Sequence, residues 1–165
     1  MGQSHLTWHA HSEQELVDLA GKTAQRWRAA GCVPLAVGLQ GELGAGKTAW
    51  VRAMLRGLGY GGRVPSPTYT LLEQYPLDGL TVVHLDLYRL ASPEELEHLG
   101  LRDWLADPAV WLLVEWPERA PGLLAHCDVV LELRFAGPQG RTLSLRAASA
   151  RGERAVQHFR EVVQE

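Results

Sequence analysis

The sequence predicts an α/β domain built on a mixed sheet, with a parallel centre and antiparallel hairpins beside it. Three observations predict it. Leu35-Ala36-Val37-Gly38-Leu39 and Trp111-Leu112-Leu113-Val114 are short unbroken apolar runs, as expected of strands buried on both faces. Runs with helical spacing lie between and beyond them. The Asp78-Gly79 pair joins two strand-like runs as a two-residue hairpin turn.

Each element has a local reason. Ser12-Glu13-Gln14-Glu15 reads as a capping box. Leu16, Leu19, Ala20, Thr23, Ala24 and Trp27 follow on one helical face, and Gly31 ends the helix. The strand at 35–39 leads into a glycine-rich loop and a helix over 47–58. Gly57, Gly59, Gly61 and Gly62 then loosen the chain, and Pro65 and Pro67 force it to be extended. A strand is expected from Thr68 to Tyr75, with its hairpin partner from Leu80 to Leu85 delivering Asp86 at its end. Ser92-Pro93-Glu94-Glu95 starts another helix, with Leu96 and Leu99 on it and a stop at Gly100. The run 111–114 ends on Glu115. A second hairpin is expected from 128–135 and 142–147 across 136–140, followed by a C-terminal helix at 152–163 carrying Ala155, Val156, Phe159 and Val163.

The loop carries the chemistry. Gly41-Glu42-Leu43-Gly44-Ala45-Gly46-Lys47-Thr48 is a complete G-x4-G-K-[ST] phosphate loop between a strand and a helix. Its glycines let successive N–H groups turn inward, and the helix N-terminus adds free donors and partial positive charge. Lys47 would reach the terminal phosphates and is expected to face solvent or ligand. The Thr48 hydroxyl would ligate Mg²⁺. Only two lysines, Lys22 and Lys47, stand beside fourteen arginines, so a chain that otherwise uses Arg keeps the slim ammonium at this position. The fold class is therefore a three-layer, P-loop NTPase-like α/β domain. Ligands of such sheets bind beyond the carboxyl ends of the strands, where the loop, Asp86 and Glu115 would meet.

Asp86 suits metal positioning, and the longer Glu115 could orient or deprotonate an attacking water. The competing reading makes each a strand-end acid paired with an arginine, Arg89 for Asp86 and Arg119 for Glu115. Ser66-Pro67-Thr68 stands where a switch segment would sense a γ-phosphate, or is a plain turn. Trp116 would close the pocket or stack on a base, or simply pack.

Composition sets limits on the rest. The 165 residues fit a single domain spanning 1–165. Apolar residues make up 46% and charged residues 21%, ordinary for a globular chain. A net charge of −3 gives no support to tight general nucleic-acid binding by this chain alone. Cys32 and Cys127 have no CxxC spacing, so a reduced, cytoplasmic protein with two buried thiols is expected. The polar start over 1–12 carries no signal peptide, and Leu6 occupies the Ser/Thr position of a myristoylation pattern, which removes Gly2 as a candidate. No apolar run approaches membrane-spanning length. His5, His9 and His11 are compatible with a metal site but are expected to belong to a solvated tail.

Taken together, the stretches 41–48, Ser66-Pro67-Thr68-Tyr69-Thr70-Leu71, His84-Leu85-Asp86-Leu87-Tyr88-Arg89-Leu90, Pro93-Glu94-Glu95-Leu96 and Val114-Glu115-Trp116-Pro117-Glu118 resemble the bacterial TsaE family over residues 12–141. These are small P-loop ATPases required for threonylcarbamoyladenosine formation on tRNA. The resemblance implies weak hydrolysis of ATP by the isolated chain and docking on a complex of TsaD with TsaB. It implies contact with tRNA only through that complex and no association with membranes. Carried over residue by residue, the nucleotide would be met by Glu13, by Gly41, Glu42, Leu43, Gly44, Ala45, Gly46, Lys47, Thr48 and Ala49, and by Thr68 and Trp116. Arg141 is a weaker contact candidate, and Ser12 lies beside Glu13 at the approach from the first helix. Thr48, Asp86 and Glu115 would be magnesium-linked, with Lys47, Asp86 and Glu115 catalytic and Thr68 a switch. Ala49 departs from the second threonine of many members but leaves the Thr48 hydroxyl intact. A small-molecule P-loop kinase is the alternative class, yet no lid insertion is evident. A regulatory GTPase is excluded, because a chain without asparagine has no Asn-Lys-x-Asp signature.

Overall fold

A computed structural model describes residues 4–165, so the reading of Gly2 lies outside the described residues. Among the described residues seven strands form one sheet in the order β1-β7-β6-β2-β5-β4-β3. They are β1 (His5–Ala10), β2 (Leu35–Gln40), β3 (Leu72–Leu77), β4 (Leu80–Asp86), β5 (Val110–Glu115), β6 (Val129–Ala136) and β7 (Gly140–Ala147). β6, β2, β5 and β4 run parallel in the centre. The pairs β1–β7, β6–β7 and β3–β4 are antiparallel. This is the mixed sheet expected from the sequence.

Helices cover both faces. On one, α1 (Glu13–Ala29), α2 (Lys47–Gly57) and α5 (Ala150–Val163) bury Trp27, Trp50, Phe159 and Leu55 against Val37, Leu39, Leu113 and Leu131. On the other, the 3₁₀ segment Pro93–Leu99, α3 (Leu101–Ala106) and α4 (Pro121–Leu124) pack Leu96, Trp104 and Leu123 against Val83, Leu85, Leu112 and Val114. α1 and α2 approach closely where Gly57 faces Gly21: a Cβ at Gly57 would lie 2.5 Å from the Gly21 carbonyl oxygen.

Several local expectations are corrected. The chain around His5, His9 and His11 is not a free tail, because 5–10 forms the edge strand β1 paired with β7. The cause is a period-2 pattern: Leu6, Trp8 and Ala10 turn toward the core, and His5, Thr7 and His9 turn outward. Among the described residues no three His, Cys, Asp or Glu side chains cluster as a metal site. The capping of α1 is shifted. The Ser12 hydroxyl accepts from Glu15 N at 3.2 Å, but the Glu15 carboxylate accepts from His11 N, one residue early. β3 starts at Leu72 instead of Thr68, because Leu71 takes a left-handed conformation (φ 67°) and its N–H donates to Pro67 O, making a turn. The helix expected at 92–100 is a 3₁₀ segment, held at its start by the Glu95 carboxylate, which accepts from the N–H groups of Ala91 and Ser92. α3, α4 and the single turn Pro117–Arg119 were not anticipated: each is too short to show helical periodicity. Cys32 and Cys127 are both buried and free. Among the described residues no helix is long and apolar enough to cross a membrane.

Candidate functional site

The site is assembled by register. Leu39 of β2 pairs with Glu115 of β5, and Asp86 of β4 pairs with the same Glu115. Paired residues of parallel strands share a face, so both carboxylates emerge side by side where β2 enters the loop. The loop depends on glycine there. At Gly41, with φ 151°, a Cβ would meet Leu133 O at 2.6 Å, and Gly46 at φ 114° opens α2.

Thr48, the second residue of α2, hydrogen-bonds both Glu115 oxygens through its hydroxyl, at 2.9 and 2.8 Å. Lys47 lies between the loop and Trp116. Its ammonium donates to the carbonyls of Gly41 and Glu42 and stands 4.3 Å from the Trp116 ring centroid. It is only 5% exposed and lines the cleft, so of the two settings expected, solvent or ligand, it faces the cleft. Burial pulls its pKa below the ordinary lysine value, against the opposing attraction of Glu115, Glu118 and Asp86. Asp86 accepts from the Thr68 hydroxyl at 3.1 Å and from Tyr88 N–H at 3.0 Å. Trp116 has left-handed backbone (φ 59°) although it is bulky and precedes Pro117. Both features disfavour that conformation, which is the kind of strain found where a side chain must be aimed.

Glu13, Leu43, Gly44, Gly46 and Ala49 line one cleft of about 490 Å³ together with Lys47, Thr48, Thr68, Asp86, Glu115 and Trp116. Gly41 and Glu42 open on an adjoining cleft of about 640 Å³ that shares Trp116 and runs toward Glu132 and Phe135. Ala45 is wholly buried and lines neither cleft; its N–H donates to Glu42 O at 3.0 Å, within the loop. Arg141 is not among the residues lining either cleft. It supports the loop from the β6–β7 hairpin, donating Nε–H to Ala45 O at 3.0 Å while its guanidinium lies over Phe135. The two arginines weighed as ion-pair partners of the acids sit elsewhere: Arg89 stacks on Tyr69, and Arg119 lies beside Tyr88 and Trp116. Thr68 belongs to the site through Asp86.

A family model described as "Threonylcarbamoyl adenosine biosynthesis protein TsaE" matches residues 10–143. The chain belongs to the TsaE family. Among its curated TsaE relatives, the Haemophilus influenzae protein is 42% identical over 121 residues, covering 73% of this chain and 75% of the relative. The Bacillus subtilis protein is 34% identical over 115 residues, 70% of this chain and 71% of the relative. The crystal structure of Bacillus subtilis YdiB superposes with a TM-score of 0.78 at 26% identity, covering 98% of this chain and 97% of that one. The P-loop NTPase-like fold expected from the loop is thus the fold of this TsaE chain.

One side chain of the site was missed in the sequence. His84 is wholly buried, and its Nε2 stands 2.6 Å from Glu115 Oε2. A signal was present: a histidine two residues before Asp86 on the same strand shares its face.

Proposed function

We propose that this chain binds Mg²⁺–ATP in the cleft at the strand ends and hydrolyses it, in support of threonylcarbamoyladenosine formation at the adenosine beside the tRNA anticodon. It acts in the cytoplasm with the TsaD–TsaB complex and meets tRNA through that complex. The observation that carries the reading is the Thr48–Glu115 contact beside Asp86 and Lys47, at the mouth of a phosphate loop.

The donor set fits magnesium. Thr48, Asp86 and Glu115 offer hard oxygens and too few of them for an all-protein cage, which suits an ion that completes its shell with phosphates and water. Bound magnesium would offset phosphate charge. Glu115 accepts the hydrogen bond donated by the Thr48 hydroxyl, which leaves the lone pairs of the hydroxyl oxygen free to face a cation. Lys47 supplies the cation aimed at the terminal phosphates. Asp86, which accepts from Thr68 and Tyr88, is the second acid of the cleft, beside Glu115, available to magnesium or to an attacking water. Trp116 walls the cleft over Lys47.

ATP turnover measured with and without TsaD–TsaB tests the reading. Turnover should rise with the complex. Asp86→Ala and Glu115→Ala should each lose magnesium-dependent turnover by roughly 10²–10³-fold. Asp86→Asn should spare nucleotide binding more than hydrolysis. An alanine variant that hydrolyses ATP normally beside the complex removes that acid from the mechanism, and transfer of phosphate to a small acceptor would point to a kinase.

A further inference from the structure

His84 has no part in the chemistry above, yet its placement is costly. The ring is fully buried in β4, and among the described residues Nδ1 has no hydrogen-bond partner. An apolar side chain would fill the same position without orphaning a nitrogen; Val82, two residues earlier on that face, is apolar and buried. Among the described residues the one polar contact of the His84 side chain is Nε2 to Glu115 Oε2 at 2.6 Å. A buried lone pair without a donor is cheaper than a buried N–H without an acceptor, and an ionised carboxylate can only accept. The proton therefore sits on Nε2 and is donated to Glu115.

We propose that His84 is a positioning residue that fixes the Glu115 carboxylate against Thr48. Glu115 is then held from two sides, by imidazole N–H from β4 and by hydroxyl from α2. A carboxylate so fixed makes Thr48 donate inward and turns the hydroxyl oxygen toward the cleft, where a hard cation would be held. The arrangement follows from the register: His84 precedes Asp86 by two residues, and Asp86 is the direct neighbour of Glu115, so the ring reaches Glu115 on the diagonal. This inference rests on the cleft being the magnesium–nucleotide site.

The test is calorimetric binding of a non-hydrolysable ATP analogue, with Mg²⁺ and with a chelator, to the full chain and to His84→Gln, His84→Asn and His84→Leu. The Gln amide nitrogen overlies imidazole Nε2 and keeps the donor. The Asn amide overlies Nδ1 and falls short. His84→Asn and His84→Leu should weaken the magnesium-dependent part of binding by about 10–100-fold, the usual effect of removing a partner that orients a metal ligand. His84→Gln should stay near wild type, and binding in chelator should be unchanged in all. In ¹⁵N-histidine NMR of the nucleotide-free chain, His84 should be protonated at Nε2, with a shift in Glu115→Gln. Equal behaviour of Gln and Asn, equal losses with and without magnesium, or a ring protonated at Nδ1 alone would overturn the assignment. Should His84→Leu fail to fold, the Gln–Asn pair, differing by one methylene, still decides. A wild-type chain that binds nucleotide without regard to magnesium defeats the site reading and this inference together. Magnesium-dependent wild-type binding with indifferent variants defeats this inference alone.

Discussion

Lys47 and Cys127 show how burial decides the behaviour of single residues. Lys47 is held where its ammonium is poorly solvated, and its pKa is lowered by that burial. A lysine whose folded pKa is depressed costs stability while both states are protonated; the cost is relieved as pH rises from the folded value toward the usual 10.5. Lys47→Met keeps the stem and removes the charge. It should therefore raise the denaturation midpoint at neutral pH, while cutting ATP turnover roughly 10²–10³-fold. A variant less stable than wild type would mean that the loop carbonyls and Trp116 more than repay the burial. Cys127 runs the other way. Burial pushes its thiol up to about 12 from the usual 9.0, with the Asp128 charge adding to the effect. Above the unfolded value the folded state holds a proton that the unfolded chain has lost. Stability should therefore fall with rising pH from that point, at up to about 1.4 kcal/mol per unit from this thiol. Urea melts between pH 8 and pH 10 should show a shallower fall in Cys127→Ala, and native Cys127 should resist thiol reagents.

At the scale of elements, α1 and α2 cross through two glycines that are not equivalent. Helix propensity alone predicts that alanine at either gains up to about 1 kcal/mol. A Cβ at Gly21 meets only ordinary contacts, 3.6 Å from Ala53 O and 3.8 Å from Gly57 Cα. A Cβ at Gly57 would stand 2.5 Å from Gly21 O and 2.7 Å from Gly21 Cα, backbone that cannot swing aside. Gly21→Ala should therefore stabilise the chain, and Gly57→Ala should destabilise it by about 1–3 kcal/mol, the scale of overpacking. Because α2 carries Lys47 and Thr48 at its first turn, the second variant should also weaken nucleotide binding. Thermal melts of both variants decide the point. This crossing was not legible in the sequence, where Gly57 read as the start of a loose exit. The elements that were legible, α1, β2, α2, β5 and α5, have long periodic faces or unbroken apolar runs. β1 was hidden by its histidines, although its alternation was complete, and the turn at Leu71 was hidden because nothing in a leucine announces a left-handed backbone.

For the molecule as a whole, the meeting of three strand ends was legible because loop and acids each follow an apolar run, and parallel strands bring such ends to one edge. Their partners were not, since the imidazole that holds Glu115 lies 31 residues away on another strand. That same geometry suggests how the site speaks to the outside. Thr68 O–H and Tyr88 N–H both end on Asp86, so the segments at 64–70 and 87–90 are tied to one carboxylate of the cleft. Their outer face carries Tyr69, 82% exposed, with the Arg89 guanidinium 4.7 Å from its ring centroid. A ligand that draws Asp86 toward itself must loosen these two bonds and reshape that face. The net charge is −3 and the arginines are scattered along the sequence instead of forming one run, whereas phosphate-driven binding needs several clustered cations and falls steeply with salt. The chain alone should therefore bind tRNA weakly and without sequence preference, while under the proposed function its affinity for TsaD–TsaB should differ between ATP and ADP. Thr68→Val removes the hydroxyl with little change in shape. It should leave ATP binding nearly intact and shrink the ATP-to-ADP difference in partner affinity, which in coupled systems is typically about 5–150-fold. Binding of the purified chain and of Thr68→Val to tRNA and, separately, to the complex, each with both nucleotides, measures this. Tight tRNA binding by the chain alone would sink the division of labour, and a Thr68→Val variant with undiminished nucleotide dependence would remove the hydroxyl from the relay.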